Sequence, residues 1–303
     1  MADKGVQARI GSVKNIQKIT RAMEMVAAAR LRRAEQRISH LRPYAGALRR
    51  MTRQASEAAG NIPNVPVLAE RESVDTVAIM LVTADRGLAG AFNSQIIRAG
   101  LREGAKLEGE GKRVVYYASG RRGVSSLTFR KKELAGEYIG FTDRPAYADA
   151  RQIASDLTQA YVDGEVDRVD VFYNGYISAL TQEVTRETLL PLQEASIFEG
   201  DEEEEEKGEE RPSDSQHSAL VEYEPDPEEI LQRLVPEYVQ ISIYRALLES
   251  TASEHGARMT AMRNASENAG DLISDLTLQF NRERQAAITQ EIMEVVAGAE
   301  SLV

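Results

Sequence analysis

At 303 residues with 42% hydrophobic content, the chain is long enough to bury a core, and its length allows one or two domains. No apolar run reaches the length of a membrane-spanning helix, and the absence of cysteine excludes disulfides, thiolate zinc sites and thiol chemistry. The net charge of −11 is unevenly placed: residues 1–53 hold thirteen Lys or Arg against Asp3, Glu24 and Glu35, whereas residues 199–229 hold fifteen Asp or Glu against Lys207 and Arg211. A basic end of that density marks a surface that meets an anionic partner, either nucleic acid or an acidic protein surface.

The first segment, 1–58, is expected to be one long helix. Ile10, Val13, Ile16, Ile19, Met23, Val26, Leu31, Ala34, Ile38, Leu41, Ala45 and Leu48 fit a 3.6-residue period with one slip near Ala27–Leu31. Pro43 lies inside this pattern and should kink or loosen it. The Gly- and Pro-containing stretch 60–66 ends it. Because the periodicity begins by Ile10 and runs far past any cleavage signal, the basic N-terminus reads as mature protein rather than a targeting segment.

Residues 74–192 change character. The apolar run 77–82 suits a strand buried on both faces, and a Gly-containing turn leads into a helical pattern from Phe92 to Leu107. Residues 113–118 form a second strand pattern, with a helix expected after Gly120. Asp143 is placed to cap a helix with Pro145 in its first turn, ended by Gly164. Residues 169–174 and 178–190 read as two further strands, a hairpin. This alternation predicts a small Rossmann-like α/β domain with a mainly parallel sheet.

The stretch 196–227 contains the run Glu202–Glu206, which repels itself and is expected to be a disordered, solvated loop. Asp226 is placed to cap a short helix over 228–235, with Pro227 at its first position. From Tyr238 onward, Ile241, Leu248, Ala252, His255, Met259, Met262, Ala269, Ile273, Leu276 and Phe280 recur at spacings of three and four, about six heptads. Ile288, Ile292, Val295, Ala299 and Leu302 continue one residue out of phase. At 1.5 Å per residue, 238–302 would be a rod about 95 Å long. The domain between the two helices is too small to enclose it, so the segments 1–58 and 228–303 are expected to pair as a long antiparallel coiled coil. Small residues in the seam, Ala252, Ser266 and Ala269, permit close approach.

Catalytic constellations are missing. His40, His217 and His255 lie in three different settings without metal-ligand spacing, and no carboxylate pair is singled out for acid–base work. The turn Asp85–Asn93 is the sharpest local feature. A Gly-rich turn feeding a helix can cradle phosphate, yet it lacks both the P-loop lysine and the dinucleotide glycine spacing, and tight strand-to-helix packing explains its glycines equally well. Nucleic-acid binding is disfavoured by the overall acidity, the absence of Trp and the lack of interleaved aromatics.

Several stretches resemble the gamma subunit of F-type ATP synthases. Residues 14–32, from Lys14-Asn15-Ile16-Gln17 through Arg30-Leu31-Arg32, are similar to that family's N-terminal signature, as is Arg42-Pro43-Tyr44-Ala45. The Asp85–Asn93 turn looks like the family's central motif, with Ala89 and Ala91 where a cysteine and a second glycine are common. Residues 253–262 are similar to the C-terminal signature, and Asn281–Ile292 to its most specific stretch.

The resemblance implies a rotor without catalytic or cofactor-binding residues of its own. The paired terminal helices would form the central shaft inside the ring of three alpha and three beta subunits. The α/β domain would sit on the c-ring beside epsilon, and the shaft would carry torque between the proton-driven ring and the catalytic head. Arg284 and Gln285 would meet a beta-subunit loop, Met23 would lie near that contact, and Arg9 with the basic N-terminal face would meet acidic beta loops. A lysine at Met23 is expected to impair coupling. Ile292, Val295 and Leu302 would turn in an apolar sleeve. Membrane association would come only through the complex, at the cytoplasmic face of a bacterial inner membrane. The competing reading is a nucleotide-dependent α/β enzyme that the terminal helices oligomerise.

Overall fold

The computed structural model describes residues 2–59, 71, 73–192 and 227–300; the acidic stretch expected to be a loop and Leu302 lie outside them. The elements in chain order are α1 (Ala2–Ala59), β1 (Thr76–Val82), α2 (Phe92–Gly109), β2 (Arg113–Ser119), α3 (Arg121–Phe129), β3 (Leu134–Tyr138), α4 (Tyr147–Val162), β4 (Arg168–Tyr176), β5 (Gln182–Leu190) and α5 (Pro227–Glu300). They divide into two compact units, Arg30–Ala257 and a terminal unit of Met1–Ala29 with Arg258–Val303.

The central unit is built on a five-stranded sheet of order β3-β2-β1-β4-β5. β1, β2, β3 and β4 run parallel, and β5 returns antiparallel to β4 as a hairpin. β1 is apolar from Val77 to Val82 because both faces are covered there. Val77, Ile79 and Leu81 pack with Phe92, Ile96 and Leu127 of α2 and α3. Ala78, Met80 and Val82 share a second core with Ile153 and Leu157 of α4, Leu48 of α1, and Leu231 and Val235 of α5. The result is a sheet between two helical layers.

Two expectations change. The short helix expected over 228–235 does not stop: α5 continues through Pro236 to Glu300. α1 also runs on as helix through Pro43. In both helices the carbonyl that each proline leaves unbonded, four residues back, belongs to an exposed residue (Ser39, Gln232), where water can satisfy it. Asp143 does not cap α4. That helix begins at Tyr147, and Asp149 reaches back to accept the Ala146 N–H at 2.7 Å. Asp143 instead forms an ion pair with Arg30. β3, an edge strand with Gly136 at its centre, escapes the sequence pattern because its five residues show neither alternation nor an apolar run.

Candidate functional site

The terminal unit is an antiparallel helix pair, and two contacts fix its direction. Arg263 Nε donates to Glu24 at 2.9 Å, while Gln17 Nε2 donates to the Ser266 carbonyl at 3.3 Å. On the C-terminal helix the inward positions are Met262, Ser266, Ala269, Ile273, Leu276, Phe280 and Glu283, an unbroken alternation of four and three. On α1 they are Val6, Ile10, Val13, Gln17, Thr20, Glu24 and Ala27, with the same alternation.

This α1 seam differs from the apolar period read in the sequence. Ile16, Ile19 and Val26, expected inside, are 53%, 58% and 53% exposed, whereas Thr20 is buried. The close approach explains the exchange. A Cβ added at Gly270 would meet Gln17 Nε2 at 3.1 Å, so the gap admits short or flexible side chains rather than a row of isoleucines. Thr20 satisfies its hydroxyl within its own helix by donating to the Gln17 carbonyl at 3.0 Å. The heptad spacing of Val6, Val13, Thr20 and Ala27 was the available signal.

The seam ends at Glu283. Every side chain from 284 to 297 is exposed, so the break in phase between Phe280 and Ile288 coincides with the passage from paired to single helix. Ile288, Ile292, Met293, Val295 and Val296 are 48–72% exposed along this single stretch. Arg9, Arg284 and Gln285 are also exposed, and Met23 is half-buried beside the Glu24–Arg263 pair. Arg284 lies about 30 Å further along its helix than Arg263 at 1.5 Å per residue. Met23 and the Arg284–Gln285 pair are therefore separate stations on the unit, not one site.

In the central unit, the Gly-rich turn after β1 is an internal fastening. The Asp85 carboxylate accepts the backbone N–H groups of Arg121 at 3.1 Å and Gly140 at 2.9 Å, and the Thr142 hydroxyl at 3.0 Å, tying three loops together. Asn93 Oδ1 accepts the Ala84 N–H at 2.9 Å. At the next turn, Gly120 adopts φ of +86°, and a Cβ there would lie 2.3 Å from the Thr83 carbonyl oxygen. In open α/β sheets ligands bind at the carboxyl ends of strands where the strand order reverses; here that place lies between β1 and β4. The chain's own helix occupies it. Ser250 donates to the Val82 carbonyl at 3.3 Å, and Ser253 donates to those of Asn174 and Gly175 at 3.1 and 3.3 Å. The helix thus fills the crevice in which a nucleotide would have to sit.

Among the described residues no cluster of His, Asp and Glu could hold a metal ion, and no helix is long and apolar enough to cross a membrane. His255 is buried at 2% exposure, with Nε2 3.8 Å from Asp143 Oδ1. It packs as a core residue of α5, as its place in the apolar stripe indicates.

A family model described as ATP synthase matches residues 3–302. The chain is 42% identical to the ATP synthase gamma chain of Rubrobacter xylanophilus over 299 residues, covering 99% of this chain and 98% of that one. It is also 42% identical to the gamma chain of Symbiobacterium thermophilum over 301 residues, covering 99% and 98%. Among solved structures it is similar to a chain of the central stalk and c-ring of Tetrahymena thermophila mitochondrial ATP synthase. That match has 25% identity and a TM-score of 0.60, covering 82% of this chain and 99% of that one. A chain of the Euglena gracilis mitochondrial enzyme shares the fold, with 16% identity and a TM-score of 0.66 over 99% of this chain and 94% of that one.

Proposed function

Because the chain belongs to the ATP synthase gamma-chain family, we propose that its terminal unit turns inside a ring of alpha and beta subunits while its central unit meets epsilon and the c-ring. The chain is a non-catalytic shaft subunit, and ATP chemistry stays on its partners. The observation that best supports the reading is the single stretch 284–297. A helix with five large apolar side chains exposed and no companion is unfavourable in water and calls for an apolar sleeve. Ile292 and Val295 lie within it.

Arg284 and Gln285 stand where the pair becomes single, and we assign them to a beta-subunit loop. Met23, at the level of Arg263, and Arg9, on the exposed face of α1, are assigned to other beta contacts. Arg9 and its basic neighbours supply charge for acidic loops. The complex is assigned to the cytoplasmic face of a bacterial inner membrane, in keeping with its bacterial relatives. The competing reading, a nucleotide-dependent enzyme, finds no support in the occupied crevice between β1 and β4.

The test is reconstitution. Mixed with the alpha and beta subunits of the same organism, the chain should co-purify as one complex with high ATPase activity, and Arg284→Ala with Gln285→Ala should reduce that activity. A chain that fails to associate, or one that binds ATP tightly alone, contradicts the assignment.

A further inference from the structure

The segment 92–132, spanning α2, β2 and α3, carries ten Lys or Arg against Glu103, Glu108 and Glu110, in a chain whose net charge is −11. Part of that excess is neutralised locally: Lys132 pairs with Glu108 at 2.7 Å, Lys112 with Glu110 at 3.2 Å, and Arg113 with Glu133. Glu103 is engaged by Arg186 at 2.9 Å. Arg98, Arg102 and Lys131 have no carboxylate partner among the described residues, and Arg130 binds only the Ser126 hydroxyl and carbonyl, at 2.8 and 3.3 Å.

Three of these cations share one feature. Between α2 and α3 runs a groove of about 460 Å³ lined by Arg98, Arg102 and Arg130, with Ser94 and Ser126 on its walls and Ile97 and Leu101 in its lining. The spacing of Ser94, Arg98 and Arg102, four residues apart, places them on one face of α2. Arg130 also borders the turn that leaves α3. There Phe129 is 85% exposed, more than any other large hydrophobic side chain described, and Lys131 takes a left-handed φ of +54°.

We propose that the α2–α3 groove and the Phe129 turn form a docking surface for anionic phospholipid headgroups. Guanidinium forks and serine hydroxyls suit phosphate oxygens. An aromatic ring flanked by cations suits the boundary between headgroups and acyl chains, where aromatic and basic side chains act together. A phospholipid surface supplies phosphate oxygens for the arginines and an apolar boundary for the Phe129 ring together, whereas a run of carboxylates supplies only the first, and this favours the lipid. The surface is peripheral, in keeping with the absence of a spanning helix among the described residues. The inference stands apart from the rotor reading, since binding through this groove needs neither rotation nor partner subunits.

The experiment is flotation of the full chain with phosphatidylcholine vesicles, with and without phosphatidylglycerol. The chain should bind only the anionic vesicles and be released by salt. Binding should weaken about tenfold or more in Arg98→Gln/Arg102→Gln/Arg130→Gln, and weaken also in Phe129→Ser. All four side chains are exposed, and circular dichroism would verify that the variants fold. A second triple variant, Lys14→Gln/Lys18→Gln/Arg21→Gln, addresses the other basic face and should bind as the parent does. Three results would overturn the proposal: no preference for phosphatidylglycerol, undiminished binding by the groove variant, or loss confined to the α1 variant. Capture of soluble poly-glutamate through the groove without vesicle binding would overturn it too, making the surface a dock for acidic protein.

Discussion

Arg245 of α5 holds Glu187 of β5 with a single nitrogen, Nη2, at 2.8 and 2.7 Å from the two carboxylate oxygens. The pair joins the C-terminal helix to the edge strand of the sheet, and both side chains are about a third or less exposed. A charge-assisted contact of this burial contributes about 2 kcal/mol. Glu187→Gln should therefore lower unfolding stability by about that amount, whereas replacing both partners by apolar residues of similar volume should cost less. Denaturant titration of the single and double variants measures the difference.

The same cluster sets a pH dependence. Burial raises the carboxyl pKa of Glu249 above its ordinary value of 4.5; Arg245, 4.0 Å away, opposes the shift and Glu187 adds to it. The folded chain then holds this proton more tightly than the unfolded chain. Stability is lost as pH rises from about 4.5 through the raised folded value, and levels off above it. Glu249→Gln does not titrate. Its stability relative to the parent should climb across that window, and a difference independent of pH would contradict the assignment.

Tyr116 offers a stabilising substitution. Its hydroxyl is buried without a hydrogen-bond partner among the described residues, and a Cβ added at Gly104 would lie 1.9 Å from that oxygen. Tyr116→Phe should be neutral or gain about 1 kcal/mol by removing an unsatisfied polar group. Gly104→Ala should lose about 1–3 kcal/mol through overpacking, and much of that loss should disappear in the double variant. Thermal melts of the four species close the cycle.

On the terminal unit, Ile16 and Ile19 face outward, so serine at both positions should change the stability of the isolated chain by under about 0.5 kcal/mol. The same variant should assemble poorly with alpha and beta subunits, because apolar area that a partner covers is lost. Thr20→Ile should do the reverse, disturbing the helix pair at a buried seam position. Finding the larger stability loss at Ile16 and Ile19 would restore the apolar period read from the sequence.

Much of the architecture was legible because it is periodic. The apolar run 77–82, the helix opening at Phe92 and the stripe from Tyr238 to Phe280 each announce an inward face, and each packs inward, with Met259, Ile273 and Phe280 only partly buried. The α1 seam was obscured because polar Gln17 and Thr20 occupy inward positions while isoleucines point out. Apolar periodicity cannot separate a face that packs within the chain from one exposed on it. Asp85 was legible as part of a turn and Asp143 was read as a helix cap, but neither role could be seen, since their partners, Gly140 and Arg30, are distant in sequence. The exposed positions assigned to partners, Arg9, Arg284 and Gln285, carry no signal in the isolated fold. Their assignment rests on likeness to the family.

The most direct measurement of the central claim is rotation. The sequence contains no cysteine, so one introduced at an exposed site of the central unit can carry a probe without competing labels. With an assembled alpha–beta ring fixed to a surface, ATP should drive the probe in one direction in steps of one-third of a turn. A complex that hydrolyses ATP at full rate while the probe stays fixed would contradict the account.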